Sequence, residues 1–263
     1  MIRSASLDDE QALQNLCRSV YDNDYVLNHL STWLPQGGIY VYEKESRIVG
    51  MVRLIFLRDG KAHVGSIRVH PDFRRQGIAT ALTEYCISVC RTDVVRLAVM
   101  DNEVSEAVAK RIGFSPVATF TYLLKNVEDT PPVSLRQGTA GEVLTFVRKS
   151  HLFQKSHSLI SSSFTFYNPS VENLKDLLML IHKDNVAILD FKIEEALKRA
   201  VQITYCDPDQ RLVEGILHVG ANKNLEEIWA VIPKDEELIN LLMVNGFEPV
   251  EWGETIKVFE LTV

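Results

Sequence analysis

One stretch, Ile67-Arg68-Val69-His70-Pro71-Asp72-Phe73-Arg74-Arg75-Gln76-Gly77-Ile78-Ala79-Thr80, limits what this chain can fold into more than any other. An apolar strand pattern ends at Val69, a short basic loop carries Gly77, and an apolar helical stripe begins at Ile78. That order brings free backbone N–H groups, the Arg74 and Arg75 guanidiniums and a helix N-terminus to one point. Those are the ingredients of a site for a pyrophosphate-bearing cofactor.

Each residue type in the loop has a physical reason. Gly77 and Ala79 let the backbone present its amides to a pyrophosphate without side chains in the way. Arg74 and Arg75 add charge-assisted hydrogen bonds of about 1.5–3 kcal/mol each. The dipole of the following helix adds about 0.3–1 kcal/mol for an anion at its end. Alone, R-R-Q-G-I-A also fits a surface turn with solvated arginines. The strand before it, Pro71, and the stripe Ile78, Leu82, Tyr85, Cys86 and Val89 after it give the motif its weight.

Bulk properties narrow the class. The chain has 263 residues, 46% of them apolar, so it is long enough for one large domain or two small ones. A mean hydropathy of -0.01 and apolar residues spread throughout describe an ordinary globular protein. The net charge of -7 is a poor match to nucleic acid, whose phosphates need an excess of Lys and Arg. No run has the length of a signal-peptide core or a membrane span, so the expectation is a cytoplasmic protein without nucleic-acid or membrane partners. Cys17, Cys86, Cys90 and Cys206 are scattered and are expected to be reduced thiols.

The chain divides at the polar, proline-ended segment Asn126–Pro132, which gives expected domains at 1–127 and 133–263. Before it, Ile2–Ala5 is a strand and Ser6 an N-cap for a helix from Leu7 to about Val20. Gly38–Tyr42 and Ile48–Leu57 form a hairpin turned at Glu43–Ser46. Further strands cover Ala62–Val69 and Val94–Val99, a helix carries Val104 to Ile112 with Gly113 as its stop, and two short strands fill Phe114–Lys125.

The second half echoes the first. A-K-R-I-G-F-S-P-V (Ala109–Val117) matches L-M-V-N-G-F-E-P-V (Leu242–Val250) at an offset of 246 − 113 = 133. At that offset Ile2-Arg3 meets Leu135-Arg136 and Ser6 meets Thr139. E-S-R-I-V-G also resembles D-Q-R-L-V-E-G, setting Arg47 against Arg211 as a second hairpin. On this reading the second half is a degenerate copy that has lost the strand, glycine loop and helix of the first.

With these residues in view, the first 125 or so resemble the GNAT superfamily of acetyl-CoA-dependent N-acetyltransferases. The match rests on R-x-x-G-x-A (Arg74, Gly77, Ala79), on V-x-P (Val69, Pro71) and on the segment from Asn102 to Phe114. It implies an α+β chain: a GNAT fold with a central mixed, mostly antiparallel sheet, plus a second, degenerate GNAT-like α+β domain without a cofactor loop. It implies acetyl-CoA as acetyl donor, with its pyrophosphate against Arg74, Arg75, Gln76, Gly77, Ile78, Ala79 and Thr80. The pantetheine arm then pairs with backbone around Ile67 and Val69, and Asn102 lies near it.

Two departures bear on proton chemistry. Many members have a tyrosine seven residues after the asparagine as general acid, and this chain has Ala109. Some have a glutamate eleven residues before the R-x-x-G arginine, and this chain has His63, a candidate base or a histidine that merely hydrogen-bonds. Tyr122 is a second catalytic candidate. In Val20–Leu34, where the superfamily builds its acceptor wall, Asp22 or Asp24 is a candidate to hold an ammonium while Tyr25 and Trp33 shape an apolar slot. The alternative is that Tyr25 and Trp33 are core and the aspartates are solvated. D-Y…W-L with the loop motif is also similar to a small group of histidine N-acetyltransferase-like proteins, which implies a small amine or amino acid as acceptor.

The expected reaction is direct attack of a primary amine on the thioester. Non-enzymatic acyl-CoA sensing and acetylation of protein amines are the alternatives. The second half is expected to complete the acceptor pocket or to form a homodimer surface. No metal is expected: His151 and His157 are six apart and have no cysteine partner nearby. Lys234-Asp235-Glu236-Glu237 fits a charged first helical turn.

Overall fold

An ion pair opens the fold. Arg3, on strand β1 (Ile2–Ser4), donates to Asp9 at 2.7 and 2.9 Å, and Asp9 closes a 3-10 turn that runs into helix α1 (Glu10–Val20). The Arg3 hydrogen bonds hold the Asp9 carboxyl down at about 2. The computed structural model describes the whole chain except residues 194, 195, 197, 251 and 252.

Two compact units divide the chain. The first holds Met1–Leu97, Glu103–Ser115 and Glu260–Val263, and the second Ala98–Asn102 and Pro116–Phe259. In the first, α1 is followed by α2 (Leu30–Gln36), β2 (Ile39–Lys44), β3 (Arg47–Phe56), β4 (Ala62–Val69), α3 (Ile78–Val89), β5 (Val94–Met100) and α4 (Glu103–Ile112). Its strands lie in the order β1-β2-β3-β4-β5, antiparallel except for the β4–β5 pair. Leu13, Leu16 and Cys17 of α1 pack with Leu30 and Trp33 of α2 against Ile39, Val41 and Met51 of the sheet. Helix α3 lies so close to β3 that a Cβ on Gly50 would meet Ile78 at 2.8 Å.

The second unit begins with β6 (Ser115–Asn126), β7 (Arg136–Gln137), α5 (Ala140–Val147) and α6 (His151–Lys155). A two-stranded sheet, β8 (Ile160–Ser162) with β9 (Thr165–Tyr167), and α7 (Val171–Leu174) follow. Next come β10 (Leu178–His182), β11 (Asn185–Asp190), β12 (Ala200–Cys206), α8 (Gln210–Asn222), β13 (Glu227–Pro233), α9 (Glu236–Val244), β14 (Glu248–Pro249) and β15 (Thr255–Thr262). The order is β15-β6-β13-β12-β11-β10-β7, with β12 and β13 parallel as β4 and β5 are.

The 133-residue repeat is written in hydrogen bonds. Arg136 pairs with Glu142 at 2.8 Å, as Arg3 pairs with Asp9 at 2.7 Å. The helix stops agree as well. Phe114 N–H donates to Ala109 and Gly113 N–H to Lys110, and Phe247 and Gly246 do the same to Leu242 and Met243. Gly113 and Gly246 both take positive φ, 112° and 83°, which a glycine adopts without penalty.

Three expectations are corrected. Arg211 does not start a hairpin strand: it lies in the first turn of α8, because Leu212, Val213, Ile216 and Gly220 bury one helical face and Asp209 caps the end. The second unit has therefore kept a strand (β12) and a helix (α8) in the β4–α3 places, and only the loop between them is shortened, to Asp207-Pro208-Asp209. Phe114–Lys125 holds one long strand, β6, without a turn residue to break it. Its ladder to β13 runs from Phe120 to Asn126, which assigns it to the second unit and moves the division N-terminal to the expected 127.

The four cysteines are free thiols. Among the described residues no helix is long and apolar enough to cross a membrane, and no His/Cys/Asp/Glu cluster is placed to hold a metal.

Candidate functional site

Strand β4 carries a break in its register. Met51 pairs with Arg68 and Arg53 with Gly65, so β4 has one residue more than β3 between these pairs, and Ser66 takes a φ of 51°. Such a bulge turns the strand and re-aims its backbone groups. On its other side β4 pairs with β5 only at Ala62–Val95 and His63–Arg96. From Val64 to Val69 the β4 edge is open to an extended ligand. Ile67 and Val69 lie on this stretch.

The open edge leads directly into the loop. Pro71–Phe73 makes a 3-10 turn, Arg75 takes a φ of 61°, and Gly77 is left-handed at φ 77° as the cap of α3. Gly77 brings no side chain to the first-turn amides, so this helix end is without a side-chain cap. Arg74, Arg75 and Gln76 are exposed, Ala79 and Thr80 half-buried and Ile78 buried. Two cations of the β2–β3 hairpin brace the loop: Lys44 donates to Gln76 at 3.0 Å and Arg47 contacts His70 at 2.8 Å. Both lie near the ring of Phe73, at 5.4 and 6.0 Å. The loop thus has a helix end without a side-chain cap and two exposed guanidiniums, Arg74 donating its Nε to the Val69 carbonyl at 3.4 Å, which fits a pyrophosphate.

The second unit differs at this point. Asp209 places its own carboxylate on the N-terminus of α8, accepting from the Arg211 and Leu212 amides at 2.8 and 3.2 Å. His182 and Asn185 hold the same carboxylate at 2.9 and 2.8 Å. Burial opposes its charge, but these hydrogen bonds keep its pKa below the usual range.

The acceptor-wall residues are reassigned by their surroundings. Asp24 is buried and its oxygens are engaged: Arg68 Nε and Nη2 donate at 2.6 and 2.7 Å and Val26 N–H at 3.1 Å. It is a structural tie rather than a ligand for a substrate ammonium. Burial works against the Arg68 charge, yet the Asp24 hydrogen bonds hold its pKa above the ordinary value. Asp22 is exposed. Trp33 is only 1% exposed and packs face to face with His29 at 4.9 Å, with the Arg53 guanidinium 3.7 Å from its centroid, so it is core. Tyr25 reaches the open region, 40% exposed, with Oη 3.1 Å from Ser66 Oγ at the bulge.

The catalytic candidates also move. His63 is buried on β4, its Nδ1 has no hydrogen-bond partner, and desolvation together with Arg53 and Arg96 pushes its imidazole down to about 4. Taking a proton from an alkylammonium near pKa 10 would cost such an imidazole about 8 kcal/mol. His63 is therefore held as a buried neutral imidazole, poorly suited to act as the base. Tyr122 sits 1% exposed in the second unit's core, with Phe164 and Trp229 at 5.4 and 5.5 Å. Asn102 is exposed immediately before α4, and Ala109 is buried on that helix. Sequence reasoning assigned no role to Arg68 or Ser66. A charged residue inside the apolar run Ile67–Val69 was a legible signal for Arg68. Ser66 gave none, because its role comes from a bulge.

Residues 7–114 match the acetyltransferase (GNAT) family model. This segment is a GNAT domain. The mycothiol acetyltransferase of Mycobacterium sp. (strain JLS) is 26% identical over 52% of this chain and 48% of its own. The chain thus spans about half the length of the curated relatives it matches. In structure, a GCN5-related N-acetyltransferase from Sphaerobacter thermophilus aligns over 100% of this chain and 95% of its own, with TM-score 0.61 and 14% identity. A tandem GNAT protein from the clavulanic acid biosynthesis pathway aligns over 100% and 98%, with TM-score 0.56 and 14% identity. These likenesses show the fold: the GNAT domain is followed by a second, GNAT-like α+β unit, as the sequence resemblance implied. In the GNAT domain the bulge, the open β4 edge and the glycine-started helix lie in one continuous run of chain.

Proposed function

We propose that the chain transfers an acetyl group from acetyl-CoA to a primary amine of a small molecule or amino acid. The observation that carries this reading is the open, bulged edge of β4 running into a helix end that has no side-chain cap. Acetyl-CoA, when bound, supplies an acyl group activated as a thioester. The amides from Gln76 to Thr80 and the Arg74 and Arg75 guanidiniums hold its pyrophosphate. Backbone at Ile67 and Val69 holds the pantetheine arm, and Asn102 lies near it. Amides at the bulge polarise the thioester carbonyl.

The amine attacks in its neutral form, its nitrogen lone pair forming the C–N bond as the C–S bond breaks. Held down at about 4, the His63 imidazole is a poor acceptor for the ammonium proton, and the amine's protons pass to other groups or to solvent. The relatives' names support acetyl transfer as the reaction class. Free thiols and a net charge of -7 support a cytoplasmic protein that does not bind nucleic acid.

A second reading, an acyl-CoA sensor, is favoured by Ala109, which brings no hydroxyl to α4. Thiol release from acetyl-CoA with pooled amino acids, polyamines and amino sugars decides between them: release supports transfer, and binding without release supports the sensor. Under either reading, Arg74→Ala is expected to weaken coenzyme A binding about 10- to 100-fold, the loss of one charge-assisted contact. Calorimetric titration checks this, and an affinity unchanged in the variant sinks the assignment of the loop.

A further inference from the structure

The bulge holds a pair of hydroxyls outside the pyrophosphate loop and the backbone of the open strand edge. Tyr25 Oη and Ser66 Oγ are 3.1 Å apart, and either can be the donor. Ser66 stands at the point where β4 departs from its register, three residues past the last pair with β5 at His63 and on the edge open to an extended ligand. Tyr25 is 40% exposed, so its hydroxyl exchanges protons with solvent. Its position is fixed from below. The 3-10 turn Tyr25–Asn28 is capped by Asp24, which the Arg68 guanidinium grips through a buried bidentate pair, and the same guanidinium lies 5.4 Å from the Tyr25 ring centroid. A cation beside a phenol stabilises its anion, as a proton donor requires.

We propose that Tyr25 and Ser66 are the proton-delivery pair for the departing thiolate. This rests on the acetyl-transfer reading. As the C–S bond breaks and its electron pair goes to sulfur, Ser66 gives its hydroxyl proton to the sulfur. Tyr25 replaces that proton on Ser66. Tyr25 is reprotonated by the proton that the amine nitrogen sheds when the C–N bond forms, passed directly or through solvent. Both hydroxyls end as they began, and the products are the amide and the free thiol. The arrangement does the work that Ala109 cannot do.

The test compares Tyr25→Phe, Ser66→Ala and, as a control, Tyr21→Phe, whose ring touches the same guanidinium at 5.1 Å. Two measurements are made: thiol release from acetyl-CoA with the pooled amines across pH, and the titration of the thiol of bound coenzyme A by its thiolate absorbance. Tyr25→Phe and Ser66→Ala are each expected to lower kcat about 100-fold, with KM for acetyl-CoA unchanged and no further loss when combined. Ser66→Ala is also expected to raise the pKa of the bound thiol by about one pH unit, because its hydrogen bond to the thiolate is gone, and Tyr25→Phe to raise it by less, because the Ser66 donor has lost its own donor. Tyr21→Phe is expected to match the wild type in both. An active wild type whose Tyr25→Phe and Ser66→Ala variants keep its kcat, or lose only affinity for the amine, overturns the pair and leaves acetyl transfer standing. An unshifted bound thiol overturns it too. A wild type that binds coenzyme A but releases no thiol with any of the amines overturns acetyl transfer and this proposal together.

Discussion

Replacing Asp24 by alanine is expected to cost about 3–5 kcal/mol of stability, because it strands the Arg68 guanidinium in the interior. The pair is buried on both sides, with side-chain exposures of 9% for Arg68 and 0% for Asp24. The substitution also removes the acceptor for the Val26 amide, which starts the turn carrying Tyr25. Removing both charges, as Asp24→Ala with Arg68→Met, is expected to recover most of the loss, since a buried ion pair is worth little over apolar groups of similar volume. Urea unfolding of the three proteins checks this through the midpoints at constant m. A single variant within about 1 kcal/mol of the wild type, or a double variant worse than the single, would sink the account. If Asp24 instead held a substrate ammonium, Asp24→Ala would raise the acceptor KM and leave folding intact.

His63 makes the fold sensitive to acid in a defined window. Its imidazole titrates near 6.5 in the unfolded chain and about 4 in the folded one. Above pH 6.5 neither form holds the proton, and the group contributes nothing to the pH dependence. As pH falls from 6.5 towards 4 the unfolded chain takes up a proton that the folded chain refuses, and stability drops by about 3 kcal/mol across that interval. Asp9 acts lower: its folded value of about 2 means the stability gained from its Arg3 pair persists above about 3.8 and is lost as pH falls to 2. The windows are therefore separable. His63→Gln is expected to flatten the slope between pH 6.5 and 4 and leave the lower one. Parallel unfolding profiles for wild type and variant would show that His63 is not held neutral.

The loop was legible because its chemistry is local. A left-handed glycine, a helix start and two arginines lie within a few residues, and each has a conformational or electrostatic signature in the chain itself. The helix stops at Gly113 and Gly246 were legible for the same reason. Arg211 was misplaced because a short R-[IL]-V match carries no periodicity, whereas Leu212, Val213 and Ile216 obey a helical one. The roles of Asp24 and Trp33 stayed open between acceptor wall and interior because they are set by partners far along the chain, at Arg68 and Arg53. His63 stood out by its spacing, eleven residues before the R-x-x-G arginine. Its burial and the two guanidiniums beside it, which change its chemistry, belong to strands brought together only by folding.

The Asp209 cap on α8 has a consequence for counting. A helix end that is already neutralised by a tethered carboxylate is a receptor whose tenant cannot leave, and a diffusing phosphate arriving there meets like charge instead of bare amides. Among the described residues the strand–helix cradle is therefore built twice, with a carboxylate cap on the helix end in one and no side-chain cap in the other. Coenzyme A titrated into the protein is expected to saturate at one equivalent per chain, even though the architecture that receives it is built twice.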